Sequence, residues 1–282
     1  MWQITAFLTK RYIYFLSEMP DMYNPRVITI ASGKGGTGKT TATANLGTSL
    51  ALLGKKTIIL DADIAMANLA LILGMEKSKV TLHEVLAGEA DIRDSMYKGP
   101  GGVIVVPCGV SLSGFQKANP ERLQDVMIEL LKGTEFLLID APAGLSRDGV
   151  IPLAVADEVI LVVNPEISSM ADALKTKIMT EMVGSRVSGA ILNRANFEKT
   201  DLSMREVEKI LGVKILEVIP EDPEVRRSTA FRTPIVIRSE DSPASVAYRR
   251  LASKMAGETF VEPELEREEG VVSRFVRSIF GE

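Results

Sequence analysis

Val27 to Thr41 read V-I-T-I-A-S-G-K-G-G-T-G-K-T-T, and the fold follows from this stretch. Val27 to Ile30 form a β-branched apolar run, as a buried strand requires. After the loop, Ala42, Leu46, Leu50 and Leu53 recur at helical spacing up to Gly54. Between them the spacing G-x-x-x-x-G-K-[ST] spans Gly33 to Thr40. The strand and helix flanks set it apart from a glycine-rich turn that merely joins two elements. Gly35, Gly36 and Gly38 are expected to adopt backbone angles that a Cβ disfavours, turning successive N–H groups toward phosphate oxygens at the helix N-terminus. Lys39 adds a point charge there, and the Thr40 hydroxyl suits Mg²⁺. The candidate nucleotide-binding set is Gly33, Lys34, Gly35, Gly36, Thr37, Gly38, Lys39, Thr40 and Thr41.

Working outward, apolar runs end in carboxylates twice more. Thr57 to Leu60 lead to Asp61 and Asp63, and Phe136 to Ile139 lead to Asp140. Open α/β sheets place ligands at the carboxyl ends of their strands, so these acids are candidates for Mg²⁺ and water chemistry. Asp61 and Asp63 have a second reading as caps for the helix that follows, and Asp140 as a cap before a proline turn. Further strands are expected over Gly101 to Gly109, Val159 to Glu166, Gly189 to Arg194 and Val213 to Pro220. Helices are expected over Ser169 to Val183, started by Ser168 or Ser169, and over Pro243 to Phe260. His83, the sole histidine, lies on a short helix closed by Gly88 and is assigned no chemistry; Cys108 reads as a small buried hydrophobe. Alternating strands and helices predict an α/β fold with a doubly wound, mostly parallel sheet and helices on both faces.

The 282 residues are 46% hydrophobic and 25% charged, with a net charge of −4. Such an acidic balance gives no global attraction to nucleic acid. A single cysteine excludes an intramolecular disulfide and fits a reducing cytosol. No run of about eighteen uncharged apolar residues exists to span a bilayer. Residues 1–22 carry five of the chain's fifteen aromatics with Lys10 and Arg11 in their midst, unlike a signal peptide. A true start at Met22 explains that shift in composition; a genuine amphipathic extension is the alternative.

Lys34 is a second lysine inside the loop, which a plain phosphate loop does not require. The spelling G-K-G-G-x-G-K-T-T resembles the deviant Walker A motif of the MinD/ParA class of dimeric ATPases, and the resemblance runs from about Arg26 to Phe260. It implies ATP and Mg²⁺ as ligands, with Lys34 reaching across a homodimer to the partner's nucleotide. Asp61-Ala62-Asp63-Ile64 and Asn68-Leu69 are similar to the family's switch I, which implies water positioning by Asp63 and nucleotide sensing by Asp61. Asp140-Ala141-Pro142-Ala143-Gly144 resembles its Walker B and switch II, with Asp140 on the metal and Gly144 at the γ-phosphate. Adenine contacts would fall on Asn193, Pro220 and Asp222. Ala65, Ala67 and Ala70 depart from the bacterial pattern of Gly, Arg and Asp; on a partner-facing surface they would leave the regulatory protein partner unidentified.

Residues 261–270 read as an acidic linker after an ATPase domain over 23–260. At 100° per residue, Val271, Val272, Phe275, Val276, Ile279 and Phe280 fall on one half of a helix, with Arg274 and Arg277 on the other. An interfacial membrane anchor is expected, with docking on the protein's own core as the alternative. The resemblance extends to this tail and implies an ATPase that cycles on the cytoplasmic face of the cell membrane to position division or other machinery. Two rivals remain: a DNA-partitioning ATPase using Arg226, Arg227, Arg232, Arg249 and Arg250, and a flagellar-number regulator of the same subfamily. An iron–sulfur carrier needs four thiolates where a dimer would offer two.

Overall fold

A computed structural model describes residues 25–109, 111–144, 147–196 and 201–262. The expectations placed on residues 1–24 and on the tail from 263 onward, including the membrane-facing set, lie outside the described residues.

The apolar run at the head of the chain is β1 (Arg26–Ala31), and it lies inside the sheet rather than at its edge. The loop then enters α1 (Lys39–Leu52), followed by β2 (Thr57–Asp61) and the short helices α2 (Leu69–Ile72) and α3 (Leu82–Ala87). β3 (Tyr97–Lys98) and β4 (Ile104–Val106) come next, then α4 (Leu112–Lys117), α5 (Leu123–Leu130) and β5 (Phe136–Asp140). The second half runs α6 (Arg147–Ala154), β6 (Glu158–Val163), α7 (Ile167–Met182), β7 (Arg186–Ala195), α8 (Met204–Leu211) and β8 (Ile215–Pro220). It closes with α9 (Pro223–Ala230), α10 (Ile235–Arg238) and α11 (Pro243–Ala256).

The strands form one sheet in the order β3-β4-β2-β5-β1-β6-β7-β8, parallel except for the β3–β4 pair. The doubly wound, mostly parallel sheet expected from the pattern is therefore present. Strand periodicity divides the core in two. Ile28 and Ile30 join Leu46 and Leu50 of α1 and Tyr248 and Leu251 of α11 on one face. Val27, Leu137, Ile139 and Leu161 join Met127 of α5 and Met170 of α7 on the other. α1 is buried nearly all round because it packs against the sheet, α2 and α11 at once.

Element boundaries shift where tertiary contacts override local signals. α7 begins at Ile167 after Glu166, and not at Ser168 or Ser169. The Ser169 hydroxyl instead accepts from the Asn164 N–H at 3.1 Å, so it is spent on the turn before the helix. α11 stops at Ala256, where Gly257 takes a left-handed conformation. Ala65, Ala67 and Ala70, expected together on one outward surface, differ in burial. Ala65 is exposed, Ala67 packs partly buried against the main core, and Ala70 is buried because α2 turns that face inward.

Leu46 is fully buried between α1 and the sheet. Leu46→Ala is expected to lower the unfolding free energy by about 2–5 kcal/mol in urea titration, through lost transfer energy and the cavity left behind.

Candidate functional site

Every parallel strand delivers its carboxyl end to the same edge of the sheet, and the residues singled out in the sequence arrive there together. Ile30 of β1 and Asp61 of β2 both lie level with Asp140 of β5. On the far side, Asn193 of β7 lies level with Ile219 of β8.

Steric demands shape the loop between β1 and α1. Gly36 and Gly38 take φ of 79° and 91°, the left-handed region that glycine enters without strain. Gly35 takes no such conformation and has open space where a Cβ would sit, so the expected need for glycine at that position does not hold. Gly33 carries the demand instead: a Cβ there would lie 2.2 Å from the Asp172 carbonyl carbon on α7. The Asn193 carboxamide nitrogen donates to the Thr37 carbonyl at 2.7 Å, and a Cβ on Gly38 would come within 2.3 Å of that nitrogen. Asn193 thus braces the phosphate loop from β7. The Thr37 hydroxyl oxygen is buried without a hydrogen-bond partner, and the Thr40 side chain is half-buried at the helix start.

The lysines differ in place and partner. The Lys39 ammonium sits 2.7 Å from Asp140 Oδ1, with side chains 6% and 1% exposed. The Thr43 hydroxyl lies 3.2 Å from the same oxygen. Losing one member of such a buried pair strands the other charge, typically at about 3–5 kcal/mol. Lys34 points the other way, to the surface. Its Nζ reaches Glu166 Oε2 at 3.1 Å and the Ser168 hydroxyl at 3.2 Å. The Lys34 hydrogen bond holds the exposed Glu166 carboxyl below its ordinary range.

The two switch-I carboxylates have different surroundings. Asp61 is fully buried; its Oδ1 accepts from the Asp63 N–H at 3.1 Å and its Oδ2 from the Leu69 N–H at 3.3 Å. Burial pushes its carboxyl well above the usual range, the Asp140 charge pushes the same way, and the Asp63 N–H opposes. This is the capping arrangement, since Leu69 opens α2. Asp63 is half-buried, and its Oδ1 accepts from the Met66 N–H at 3.0 Å. Gly144, at φ 84°, donates to the Ser32 carbonyl at 3.4 Å and ties the loop after β5 to the phosphate loop.

The adenine-side residues are largely committed to structure. Asp222 caps α9 by accepting from the Glu224 N–H at 2.9 Å, and its other oxygen accepts from the Ala244 N–H at 3.1 Å. A base near Pro220 and Asp222 would meet main chain rather than that carboxylate. Thr43, Glu166 and Asp172 were missed in the sequence, since nothing in their local spelling marks contacts with a loop more than a hundred residues away in two of the three cases.

The site suits a phosphate-bound divalent cation. Among the described residues no three His, Cys, Asp or Glu side chains converge as an all-protein metal cage. Mg²⁺ is ordinarily held by one or two protein oxygens together with substrate phosphates and water. The Thr40 hydroxyl and Asp140 carboxylate beside a glycine-rich helix start provide that donor set.

Comparison with known proteins bears on the family and the fold. The profile of the CobQ/CobB/MinD/ParA nucleotide binding domain matches residues 28–235. An ATP-binding protein of Methanocaldococcus jannaschii, itself uncharacterised, is 50% identical over 254 residues, covering 90% of this chain and 96% of its own. The cell division ATPase MinD of Pyrococcus furiosus superposes with a TM-score of 0.79 at 40% identity, covering 83% of this chain and 99% of that one. The septum site-determining protein MinD of Pyrococcus horikoshii, solved with Mg-ADP, gives 0.79 at 38% identity, covering 82% and 96%.

The loop's steric pattern yields a paired prediction. Gly33→Ala should lower the unfolding free energy by about 1–3 kcal/mol through overpacking against α7. Gly35→Ala should leave it unchanged or raise it by up to about 1 kcal/mol. Chemical denaturation of the two variants beside the parent protein checks both.

Proposed function

This chain belongs to the MinD/ParA family of ATPases, and from that premise we propose that it dimerises with ATP, binds membrane as the dimer and is released on hydrolysis. The observation that carries this reading is the division of labour between the two loop lysines. Lys39 is buried beside Asp140, while the half-buried Lys34 turns its ammonium outward, held among the described residues by the exposed Glu166 and Ser168. A surface cation anchored inside a phosphate loop is suited to meet phosphate on a second subunit.

In this reading the backbone N–H groups of the loop and the Thr37 hydroxyl receive phosphate oxygens. Lys39 exchanges Asp140 for phosphate, which frees that carboxylate. Thr40 and Asp140 would hold Mg²⁺, with Asp63 beside them; when bound, the ion neutralises charge on the phosphates. Asp63 orients the attacking water, and Asp61 holds the Asp63 backbone. The tail residues Val271, Val272, Arg274, Phe275, Val276, Arg277, Ile279 and Phe280 form the anchor. One short anchor binds lipid only marginally. Two on one dimer gain roughly a hundredfold or more in avidity, so nucleotide state controls membrane residence. The cargo is division or other machinery on the cytoplasmic face, through a regulatory protein of unassigned identity.

The DNA-partitioning reading is less favoured. Arg227, Arg232 and Arg249 pair with Glu224, Glu76 and Glu240 respectively, and Arg250 pairs with both Glu217 and Glu262, so much of the candidate basic surface is neutralised locally. Among the described residues no helix is long and apolar enough to cross a membrane.

Lys39→Ala should weaken ATP binding at least tenfold in equilibrium titration. Lys34→Ala should bind ATP at near-parental affinity yet remain a monomer in Mg·ATP by light scattering and hydrolyse poorly; parental turnover in that variant would refute the trans contact. Liposome sedimentation of the full chain should require ATP, and deletion of residues 271–282 should abolish it. Continued pelleting after the deletion would eliminate the tail as anchor.

A further inference from the structure

We propose that His83 is a positioning residue for hydrolysis, fixing the backbone that carries Asp63; this rests on the water-orienting role given to Asp63 above. His83 lies on α3, outside the phosphate loop, and is 1% exposed. Its Nε2 lies 3.0 Å from the carbonyl oxygen of Ile64, the residue directly after Asp63. A carbonyl only accepts, so Nε2 carries the proton and donates.

The ring is closely packed on the side away from this bond. Its Nδ1 is buried without a hydrogen-bond partner, and Gly109 and Gly114 close over it. A Cβ on either glycine would come within 2.5 Å or 2.8 Å of that nitrogen. The helix beneath the ring is also fixed. Thr81 and Glu84 form a capping box at its start, and the Leu82 N–H donates to the Pro107 carbonyl at 2.8 Å, joining α3 to the end of β4. A closely packed donor therefore reaches across nineteen residues of sequence to one point on switch I.

That point is placed where it matters for Asp63. On its N-terminal side Asp63 is held by its own N–H on Asp61 Oδ1. On its C-terminal side the Ile64 carbonyl is held by His83, the Ile64 N–H donates to the Ala62 carbonyl at 3.0 Å, the Met66 N–H donates to Asp63 Oδ1 at 3.0 Å and the Ile64 side chain is buried in the core. Of these, His83 is the tie that comes from a separate element through a hydrogen bond. Beyond it the loop runs out to Ala65 and Met66, which are exposed. An ångström of drift in a group that orients the nucleophile can cost up to about a hundredfold in rate while leaving ground-state binding alone.

The test compares His83→Leu, which keeps bulk without a donor, His83→Gln, whose amide nitrogen can take the place of Nε2, and Asp63→Asn, all in the full chain. His83→Leu should lower kcat for ATP about tenfold or more with nucleotide Kd within about twofold of parent, and His83→Gln should recover most of the turnover. Parental kcat in His83→Leu, or a Gln variant no better than Leu with kcat and melting temperature falling together, overturns the role. An inactive Asp63→Asn beside an unaffected His83→Leu fails this inference alone. Full turnover in Asp63→Asn removes the Asp63 reading, and the role of His83 falls with it.

Discussion

The ion pair between Lys39 and Asp140 joins the two segments on which the site depends. At 2.7 Å, and with both side chains nearly free of solvent, it links the first residue of α1 to the last residue of β5. It can form because β1 and β5 are adjacent and parallel in a register that sets Ile30 beside Asp140. The same register sets Asp61 beside Asp140 from the other flank, so three charged groups share a dry pocket. Burial in that pocket, with the Asp140 charge adding to it, is why Asp61 holds its proton more firmly than an ordinary aspartate.

Around this pocket the protein braces backbone more than side chains. Asn193 supports the Thr37 carbonyl, Gly144 donates to Ser32, Asp61 accepts from Asp63, and His83 meets Ile64. Each brace comes from a different strand end or from a helix behind it. Phosphate recognition by main-chain N–H groups depends on where the backbone is held, so a loop of small residues requires walls supplied by the rest of the fold. Gly33 illustrates the tightness: the loop lies so close to α7 that no side chain fits between them.

The outward-facing parts follow another logic. Lys34, Glu166 and Ser168 form a small solvent-exposed cluster, where an ion pair contributes little to stability. Such a pair can be exchanged for a better partner at low cost. The contrast with Lys39 separates two uses of the same residue type within one loop: one lysine is built into the pocket, and the other stays exchangeable.

The sequence by itself determined the strand, loop and helix around Lys39, the carboxylates at the ends of β2 and β5, and the mostly parallel sheet. Each rests on local spacing or on apolar runs, and those patterns are written within ten or fifteen consecutive residues. Only the tertiary structure decided that Gly33 rather than Gly35 is sterically required, that Asp222 spends both oxygens on helix starts while Asp61 divides its two between the Asp63 backbone and the start of α2, and that Ala70 turns inward. It alone brought Glu166 to Lys34, 132 residues away, and His83 to Ile64. Contacts of that kind depend on sheet order and helix placement, which many sequences satisfy with different residues, so no local spelling announces them.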